Sequence, residues 1–188
     1  MKDDLFIRTK VPMTKAEVRS ISLDKLQLQG KKTFLDIGSG TGSVSMQAAL
    51  EYPDLQITAL EKNLDAIDIN QKNINHFGIQ NIDLKVGNAP ADLPNKKFDG
   101  IFVGGSGGEL PKIIDYSYQH LNDQGMLVLN FILNENAFEA IQYLEKSEFI
   151  DLDVIQVAVS KWHQLGKGHY FKPQNPTIII SAQKGENN

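Results

Sequence analysis

The sequence contains no cysteine, and this absence removes several kinds of chemistry at once. A chain without thiols cannot form disulfides, bind a metal through thiolates or use a cysteine nucleophile. The sequence also lacks an excess of positive charge, since 19 Lys and Arg stand against 23 Asp and Glu, for a formal net charge of −4. A general affinity for nucleic acid requires a basic face and is therefore not expected.

Long hydrophobic runs are missing as well. Residues 1–4 carry charges but no apolar signal core, and no apolar run approaches the length that spans a membrane. We therefore expect a cytoplasmic protein without a membrane partner. The 188 residues and the hydrophobic content of 41% suit one domain with a sizeable core, in which residues 1–30 form an N-terminal segment and helix.

The first informative stretch is an apolar run that ends in three alternating glycines. Residues 34–37 indicate a buried strand, Gly38, Gly40 and Gly42 indicate a sharp turn, and residues 43–50 open a helix. Glycine tolerates positive φ, and it lets the backbone come close to a ligand. The stretch therefore predicts a strand-loop-helix cradle for a nucleotide-like ligand.

The spacing of the loop separates it from a dinucleotide site. The dinucleotide fingerprint requires a third glycine where this chain has Ser43. Glu61 ends a second apolar strand, residues 57–60, and a carboxylate there can accept hydrogen bonds from both ribose hydroxyls. Loop, acid and alternating strands and helices together resemble the class I methyltransferases that bind S-adenosylmethionine. That resemblance implies an α/β, Rossmann-like fold with a seven-stranded, mostly parallel sheet, an antiparallel last strand and an extra N-terminal helix.

The rest of the chain alternates between helix and strand patterns. Thr14 and Glu17 have the spacing of a capping box, which predicts a helix that starts at Thr14 and ends near Gly30. Asn63 is placed to cap the third helix and Gly78 to close it. Further strands are predicted at residues 82–86, 98–103, 126–132, 150–159 and 177–182, and further helices at 43–52, at 110–121 and from 134.

A second glycine stretch, residues 104–108, follows the fourth predicted strand. Consecutive backbone N–H groups before a helix N-terminus form a natural site for an anion such as a carboxylate. Enzymes that methylate exocyclic amines usually carry an Asp/Asn-Pro-Pro-aromatic motif here, and this sequence has none. A turn chosen only for its geometry is the alternative interpretation.

Residues 161–173 form the third informative stretch. They contain Lys161, Lys167, Lys172, the only Trp and two of the four His, without any acid. Aromatic rings between cations suit a large, flat, anionic ligand. A solvated hairpin loop is the alternative.

Three stretches together resemble one family. Residues 12–19, 36–42 and 104–110 resemble the decarboxylating carbon-15 methyltransferases of cobalamin biosynthesis, whose domain is also the C-terminal half of the fused precorrin-6Y C5,15-methyltransferase. The resemblance covers essentially the whole chain. It implies S-adenosylmethionine as cofactor, a (cobalt-)precorrin-6B tetrapyrrole as substrate, methyl transfer to carbon 15, decarboxylation of the ring C acetate and a homotetramer.

The resemblance and the residue patterns give a set of expected site residues. The cofactor residues are Thr14, Asp36, Gly38, Ser39, Gly40, Thr41, Gly42, Glu61, Asn88 and Ala89. The substrate residues are Arg19, Gly105, Ser106, Gly107, Gly108, Lys161, Lys167 and Lys172. Asn88 stands where related enzymes usually carry an acid, and its amide can still donate and accept hydrogen bonds toward adenine.

Glu109 is the candidate catalytic residue for the decarboxylation. The alternative is that it only begins its helix, where the helix dipole favours an acid. No metal is expected, because the sulfonium supplies the electrophile and an enamine-like carbon of the macrocycle is the nucleophile.

Two other classes of function stay open. One is a class I methyltransferase that acts on RNA or protein, which a basic stripe on the folded surface would favour. The other is a non-catalytic S-adenosylmethionine-binding domain, which would have no pocket large enough for a tetrapyrrole beside the methyl group. The lack of cysteine excludes cysteine-assisted methylation of a pyrimidine ring carbon.

Overall fold

The structure, a computed structural model, describes residues 1–186. Its helices are a 3-10 helix Asp3–Leu5, α1 Ala16–Leu26, α2 Ser43–Glu51, α3 Leu64–Phe77, α4 Leu110–His120 and α5 Asn134–Leu144. Its strands are β1 Thr33–Ile37, β2 Gln56–Glu61, β3 Ile82–Val86, β4 Phe98–Val103, β5 Leu121–Phe131, β6 Phe149–Val157, β7 Ser160–Leu165, β8 Gly168–Pro173 and β9 Thr177–Lys184. None of the helices in residues 1–186 has both the length and the apolar character that crossing a membrane requires.

Seven strands form one mixed sheet in the order β3-β2-β1-β4-β5-β9-β6, and β7 pairs only with β8. Strands β1 to β5 are parallel to their neighbours, whereas β9 runs antiparallel to both β5 and β6. The predicted fold class, with an antiparallel last strand, is confirmed. The strand order reverses direction between β1 and β4, and ligands of open α/β sheets bind in the crevice at such a point.

Each buried strand sends alternate side chains to opposite faces of the sheet. On one face, Leu35 and Ile37 of β1 join a core cluster with residues of α4 and α5. On the other face, Phe34 joins a cluster with α1, α2 and the N-terminal segment. Helices thus cover both faces, and the carboxyl ends of the strands are left as the edge where a ligand can reach the backbone.

The residues that flank α3 in the sequence predicted both ends of this helix correctly. The Asn63 side chain accepts a hydrogen bond from the Ala66 N–H at 3.1 Å, as an N-cap should. Gly78 ends the helix in the left-handed region, with φ of 64°. Both predicted end residues of this helix are confirmed.

The predicted capping box of α1 is wrong. The helix begins at Ala16, its N-cap is Lys15, and no side chain caps it. Glu17 instead forms an ion pair with Lys161 of β7. The helix also ends at Leu26, before Gly30, because Gln27 adopts a left-handed conformation with φ of 49°.

Two predicted connections are regular structure instead. Residues 122–125, which connect the predicted helix 110–121 to the predicted strand 126–132, belong to β5, where the register with β4 shifts and Gln124 has φ of 61°. Residues 161–173 form most of the β7–β8 hairpin. Cross-strand contacts between Trp162, His169 and Phe171 hold the two strands together, and they cannot be read from local periodicity.

Candidate cofactor and substrate site

The two glycine loops meet at the carboxyl ends of β1 and β4. Ile37 pairs in register with Val103, so Gly38 and Gly104 leave the sheet side by side. A Cβ at Gly38 would lie 2.9 Å from the backbone N of Gly105, and Gly38 has φ of +69°. Only glycine satisfies both conditions, which explains why the first loop needs this residue here.

Glu61 fastens the first glycine loop to the end of β2. Its Oε2 accepts from the Gly40 N–H at 2.8 Å, and its Oε1 accepts from the N–H groups of Lys62 and Asn63, each at 2.8 Å. A carboxylate has about four acceptor positions, so about one is left for a ligand. Glu61 lines both cavities described below, which places that acceptor at the site.

Asp36 lies behind the loop and does not line the cleft. It is 1% exposed, and Ser45 Oγ donates to its Oδ2 at 2.6 Å. Burial, together with a smaller effect of the nearby Glu61 charge, raises the pKa of Asp36 to about 7 against the opposing effect of the Ser45 hydrogen bonds. The expected direct contact between Asp36 and the cofactor does not fit this placement; the residue supports the loop from below.

Asn70 is a second support that the sequence did not reveal. It is fully buried on α3, and its Nδ2 donates to Ser39 Oγ at 3.1 Å and to the Gly40 carbonyl at 3.4 Å. A Cβ at Gly42 would collide with Asn70 Oδ1 at 2.3 Å, so Gly42 makes room for this support and lines neither cavity. For Asn70, the signal available in the sequence was a polar residue on the buried face of a helix.

A cleft of about 860 Å³ opens beside the loops. Its walls come from the N-terminal segment at residues 8–15, from the first glycine loop, and from residues 130–133 and 174–177. A smaller cavity of about 150 Å³ adjoins it between residues 60–62, 87–89 and 105–107. The larger volume falls within the roughly 300–1,000 Å³ typical of small-molecule sites.

Most expected cofactor residues lie on these walls. The larger cleft is lined by Thr14, Gly38, Ser39, Gly40, Thr41 and Glu61. The smaller cavity is lined by Gly38, Glu61, Asn88 and Ala89. Of the second loop, Gly105 and Ser106 line both cavities and Gly107 lines the smaller one, whereas Gly108 lines neither.

Several expected substrate residues lie elsewhere. Arg19 is fully buried beneath the N-terminal segment, because four hydrogen-bond acceptors surround its guanidinium there. Lys161 is tied to Glu17, and Lys167 and Lys172 lie on the exposed β7–β8 hairpin. These four residues do not line the cleft, so the prediction that they face the substrate does not fit the structure.

Glu109 also lies outside both cavities. It is the N-cap residue of α4, and its carboxylate pairs with Lys112 at 2.6 Å. This geometry agrees with the alternative interpretation, in which Glu109 only begins its helix. Within residues 1–186, no group of three or more His, Cys, Asp or Glu is arranged to hold a metal ion.

The sequence prediction missed other residues at the cavities. Arg8, Lys10 and Lys15 line the larger cleft, and their cationic side chains in the N-terminal segment were the signal for them. Lys62 lines the smaller cavity, and its Nζ would lie 3.0 Å from a Cβ at Gly107.

The apolar rim of the larger cleft was missed too. Ile132 and Leu133 line it directly after β5, with 61% and 60% of their surface exposed. Large apolar side chains in such exposed positions mark a binding surface better than a core. Their place at the end of a predicted strand was the available signal.

Comparison with known proteins places this geometry in a family. A family model for the precorrin methyltransferase domain matches residues 4–184. The chain is 45% identical over 188 residues to the cobalt-precorrin-6B C(15)-methyltransferase (decarboxylating) of Salmonella typhimurium, covering 100% of this chain and 97% of that protein.

Two crystal structures agree with this match. The precorrin-6Y C5,15-methyltransferase of Geobacter metallireducens is 36% identical with a TM-score of 0.90, covering 98% of this chain and 97% of that one. The precorrin 8W decarboxylase of Methanobacterium thermoautotrophicum is 29% identical with a TM-score of 0.86, covering 97% and 98%. The sheet order, the glycine loop closed by Glu61 and these matches together establish that the chain has the class I S-adenosylmethionine-dependent methyltransferase fold and belongs to the precorrin methyltransferase family.

Proposed function

We propose that this protein methylates carbon 15 of cobalt-precorrin-6B with S-adenosylmethionine and removes the carboxyl of the ring C acetate as carbon dioxide, in cobalamin biosynthesis. The observation that carries the proposal is the 45% identity, from end to end, to the Salmonella typhimurium enzyme of that name. The cleft supports the same conclusion, because it combines a nucleotide-type glycine loop with a wider part lined by residues 8–15 and 130–133, which we call the wide compartment.

S-adenosylmethionine fits the residues around the first glycine loop. We assign its ribose to Glu61, which has about one free acceptor position, and its adenine to the smaller cavity beside Asn88 and Ala89. Thr41 Oγ1 is buried at the loop without a hydrogen-bond partner in residues 1–186, so a ligand atom there would satisfy it. The bound sulfonium supplies the electrophilic methyl group, and the chain supplies its orientation.

The wider part of the cleft has the chemistry of a tetrapyrrole site. Ile132 and Leu133 offer apolar surface to the macrocycle, and Arg8, Lys10 and Lys15 offer positive charge to its carboxylates. Gly105 and Ser106 line both cavities, so their backbone borders cofactor and substrate alike. These side chains would bind and align the macrocycle carbon with the methyl group, which is the main protein contribution to such a transfer.

We further propose that the protein works as a homotetramer. The β7–β8 hairpin exposes Leu165, Trp162 and Phe171 at 68%, 62% and 63% of their surface. Trp162 and Phe171 are paired across the hairpin with their rings in contact, and exposed apolar groups in contact mark interaction surfaces. Light scattering after size exclusion should give four times the 20.9 kDa chain mass, and a monomer at micromolar concentration would contradict this. The expected cytoplasmic location stays a prediction.

Mass spectrometry of the reaction tests the proposed activity directly. Purified protein is incubated with S-adenosylmethionine and precorrin-6B, in cobalt-containing and metal-free forms. A product that gains one methyl group and loses one carbon dioxide is expected, and the preferred form identifies the natural substrate. No change in either form, with cofactor binding intact, would overturn the assignment in favour of another methyl acceptor.

Calorimetry with Glu61→Ala tests the cofactor site. Loss of the carboxylate removes the ribose acceptor and also frees the Gly40 N–H, so the affinity for S-adenosylmethionine should fall by about 100-fold. Asp83→Ala is the matched control, because Asp83 is an exposed acid on β3 whose ion pair with Lys85 lies on the surface. Equal affinities for the two variants would remove Glu61 from the site.

A further inference from the structure

Residues 1–15, which we call the N-terminal strap, form one wall of the larger cleft. Residues 8–15 of the strap line it, and the carbonyl of Pro12 would lie 3.5 Å from a Cβ at Gly40. The strap thus touches the cofactor loop on one side and borders the wide compartment on the other. Its position decides how wide the cleft is.

The strap is fastened at Ile7 by a buried amide. Asn73 of α3 is fully buried, its Oδ1 accepts from the Ile7 N–H at 2.8 Å, and its Nδ2 donates to the Ile7 carbonyl at 3.2 Å. One side chain therefore satisfies both backbone groups of one residue. The Ile7 side chain is 41% exposed, so it is mainly the backbone that is held here.

The second fastening is the guanidinium of Arg19. Arg19 donates to the carbonyls of Met1 and Thr14, each at 2.7 Å, and to Asp3 Oδ1 at 3.2 Å. Its Nε donates to Gln47 Oε1 of α2 at 2.6 Å. One buried side chain therefore joins both ends of the strap to the body of the protein.

Phe6 completes the attachment between these two points. Its ring lies 5.1 Å from Arg19 Cζ and packs edge-to-face on Phe77 of α3 with ring centroids 5.2 Å apart. Between Ile7 and Thr14, the described residues show one further strap hydrogen bond, from the Val11 N–H to Thr9 Oγ1, and it lies within the strap. Met13 is buried in the core cluster that also contains Phe6, so residues 8–12 are the span whose course depends on how its two ends are held.

Burying the charged guanidinium of Arg19 is not an efficient way to stabilise the fold. Burial lowers the pKa of Arg19, although the charge and hydrogen bond of Asp3 oppose that effect, so the desolvation of the guanidinium is a real cost. Well-packed apolar residues stabilise an interior as well as or better than a buried ion pair. The hydrogen bonds from Arg19 to the backbone carbonyls of Met1 and Thr14 instead fix the conformation of the strap.

We propose that Arg19 and Asn73 are positioning residues that hold the strap as a wall of the cleft and thereby set the affinity for the tetrapyrrole. Neither side chain lines the cleft, so both act through residues 8–15. The inference rests on the proposed function for the identity of the ligand. The attachment itself can be measured without any ligand.

Hydrogen exchange measures the attachment. In Asn73→Ala, exchange at the Ile7 amide should speed up by about tenfold or more, because this amide loses its buried acceptor. The matched control is Asn75→Ala on the exposed side of the same helix, where exchange in the strap should stay as in the wild type. Asn73→Asp keeps an acceptor for the Ile7 N–H and should recover part of the protection. Unchanged exchange at Ile7 in Asn73→Ala would overturn the inference.

Kinetics then separate positioning from general stability. For folded Asn73→Ala and Arg19→Lys, the KM for the tetrapyrrole should rise about tenfold, while kcat and the affinity for S-adenosylmethionine change by less than about threefold. Lysine cannot replace the forked donors of Arg19, so the second variant tests the other attachment if the first fails to fold. Faster strap exchange with an unchanged KM would overturn the positioning role. Absence of turnover by the wild type would overturn the proposed function and leave the exchange result standing.

Discussion

Two aspartates on adjacent strands have opposite surroundings. Asp99, at the amino edge of the sheet, accepts four hydrogen bonds, from the N–H groups of Lys32 and Thr33, from Thr33 Oγ1 and from Asn122 Nδ2. Asp36, at the carboxyl edge, accepts one side-chain hydrogen bond, from Ser45, and its Oδ1 has no partner within residues 1–186. Both carboxylate oxygens of Asp99 thus accept hydrogen bonds within the fold, whereas only one oxygen of Asp36 does.

The pKa values follow this contrast. Burial alone would raise the pKa of Asp99, but the hydrogen bonds from Asn122, Lys32 and Thr33 outweigh it and lower the pKa below the ordinary value. For Asp36, burial dominates and raises the pKa to about 7. Thr41 Oγ1 and Asn70 Oδ1, also near the first glycine loop, are likewise buried without partners in the described part of the chain. The amino edge is therefore built for stability, whereas the carboxyl edge keeps, beside the first glycine loop, buried polar atoms that have no partner within residues 1–186, and of these three residues Thr41 lines the cleft.

The largest effect should come from Gly38→Ala, compared with Gly30→Ala. Both glycines have positive φ, but a Cβ at Gly30 meets nothing within 4 Å, whereas at Gly38 it meets the Gly105 backbone at 2.9 Å. Thermal unfolding should show a loss of ~1 kcal/mol for Gly30→Ala and ~4 kcal/mol or more for Gly38→Ala. S-adenosylmethionine binding should become unmeasurable only in Gly38→Ala. Equal losses in the two variants would mean that backbone strain alone matters.

Replacing the buried carboxyl group in Asp36→Asn should have the next largest effect on stability. A carboxyl whose pKa is raised on folding stabilises the protein at low pH and loses that contribution as the pH rises. A shift from 3.8 to about 7 corresponds to at most ~4 kcal/mol, lost between about pH 4 and pH 7. The stability of Asp36→Asn should therefore fall less over this range, as measured by urea unfolding at pH 5 and pH 8. Parallel pH profiles for the variant and the wild type would show that Asp36 is charged in the fold throughout.

Asp99→Ala tests the other half of the comparison. Losing the carboxylate leaves the N–H groups of Lys32 and Thr33 without this acceptor, so the free energy of unfolding should fall by ~2 kcal/mol at neutral pH. Because the pKa of Asp99 is lowered in the fold, its contribution is present above about pH 4 and is lost as the pH falls further. Affinity for S-adenosylmethionine should stay within about twofold of the wild type. A large loss of affinity would contradict the division of roles between the two edges.

Local patterns predicted the fold better than the site. β3 and β4 have the predicted bounds, and Asn63 caps the start of α3 as predicted, because these signals act over a few residues. The capping box of Thr14 and Glu17 was predicted wrongly and Lys161 lies away from the cleft, because Glu17 and Lys161 pair with each other through a contact that depends on the assembled fold. The glycine loops could be located from sequence, since close backbone approach leaves few alternatives to glycine. The walls of the cleft could not, because they come from segments far apart along the chain.

The smallest expected effect concerns Lys62, which lies at the carboxyl edge of the sheet. Its aliphatic stem and its ammonium group can be compared there. Its side chain borders the smaller cavity with Leu60 and Ala89, so its aliphatic stem can cover the adenine while the ammonium stays in water. Lys62→Met keeps the stem and should leave the affinity for S-adenosylmethionine within about twofold. Lys62→Ala removes the stem and should weaken binding by about fivefold, or ~1 kcal/mol. Calorimetry at low and high salt separates the two contributions, because a charge effect would shrink with salt and would appear in both variants. If Met and Ala weaken binding equally and only at low salt, the ammonium and not the stem is the part of Lys62 that the cofactor contacts.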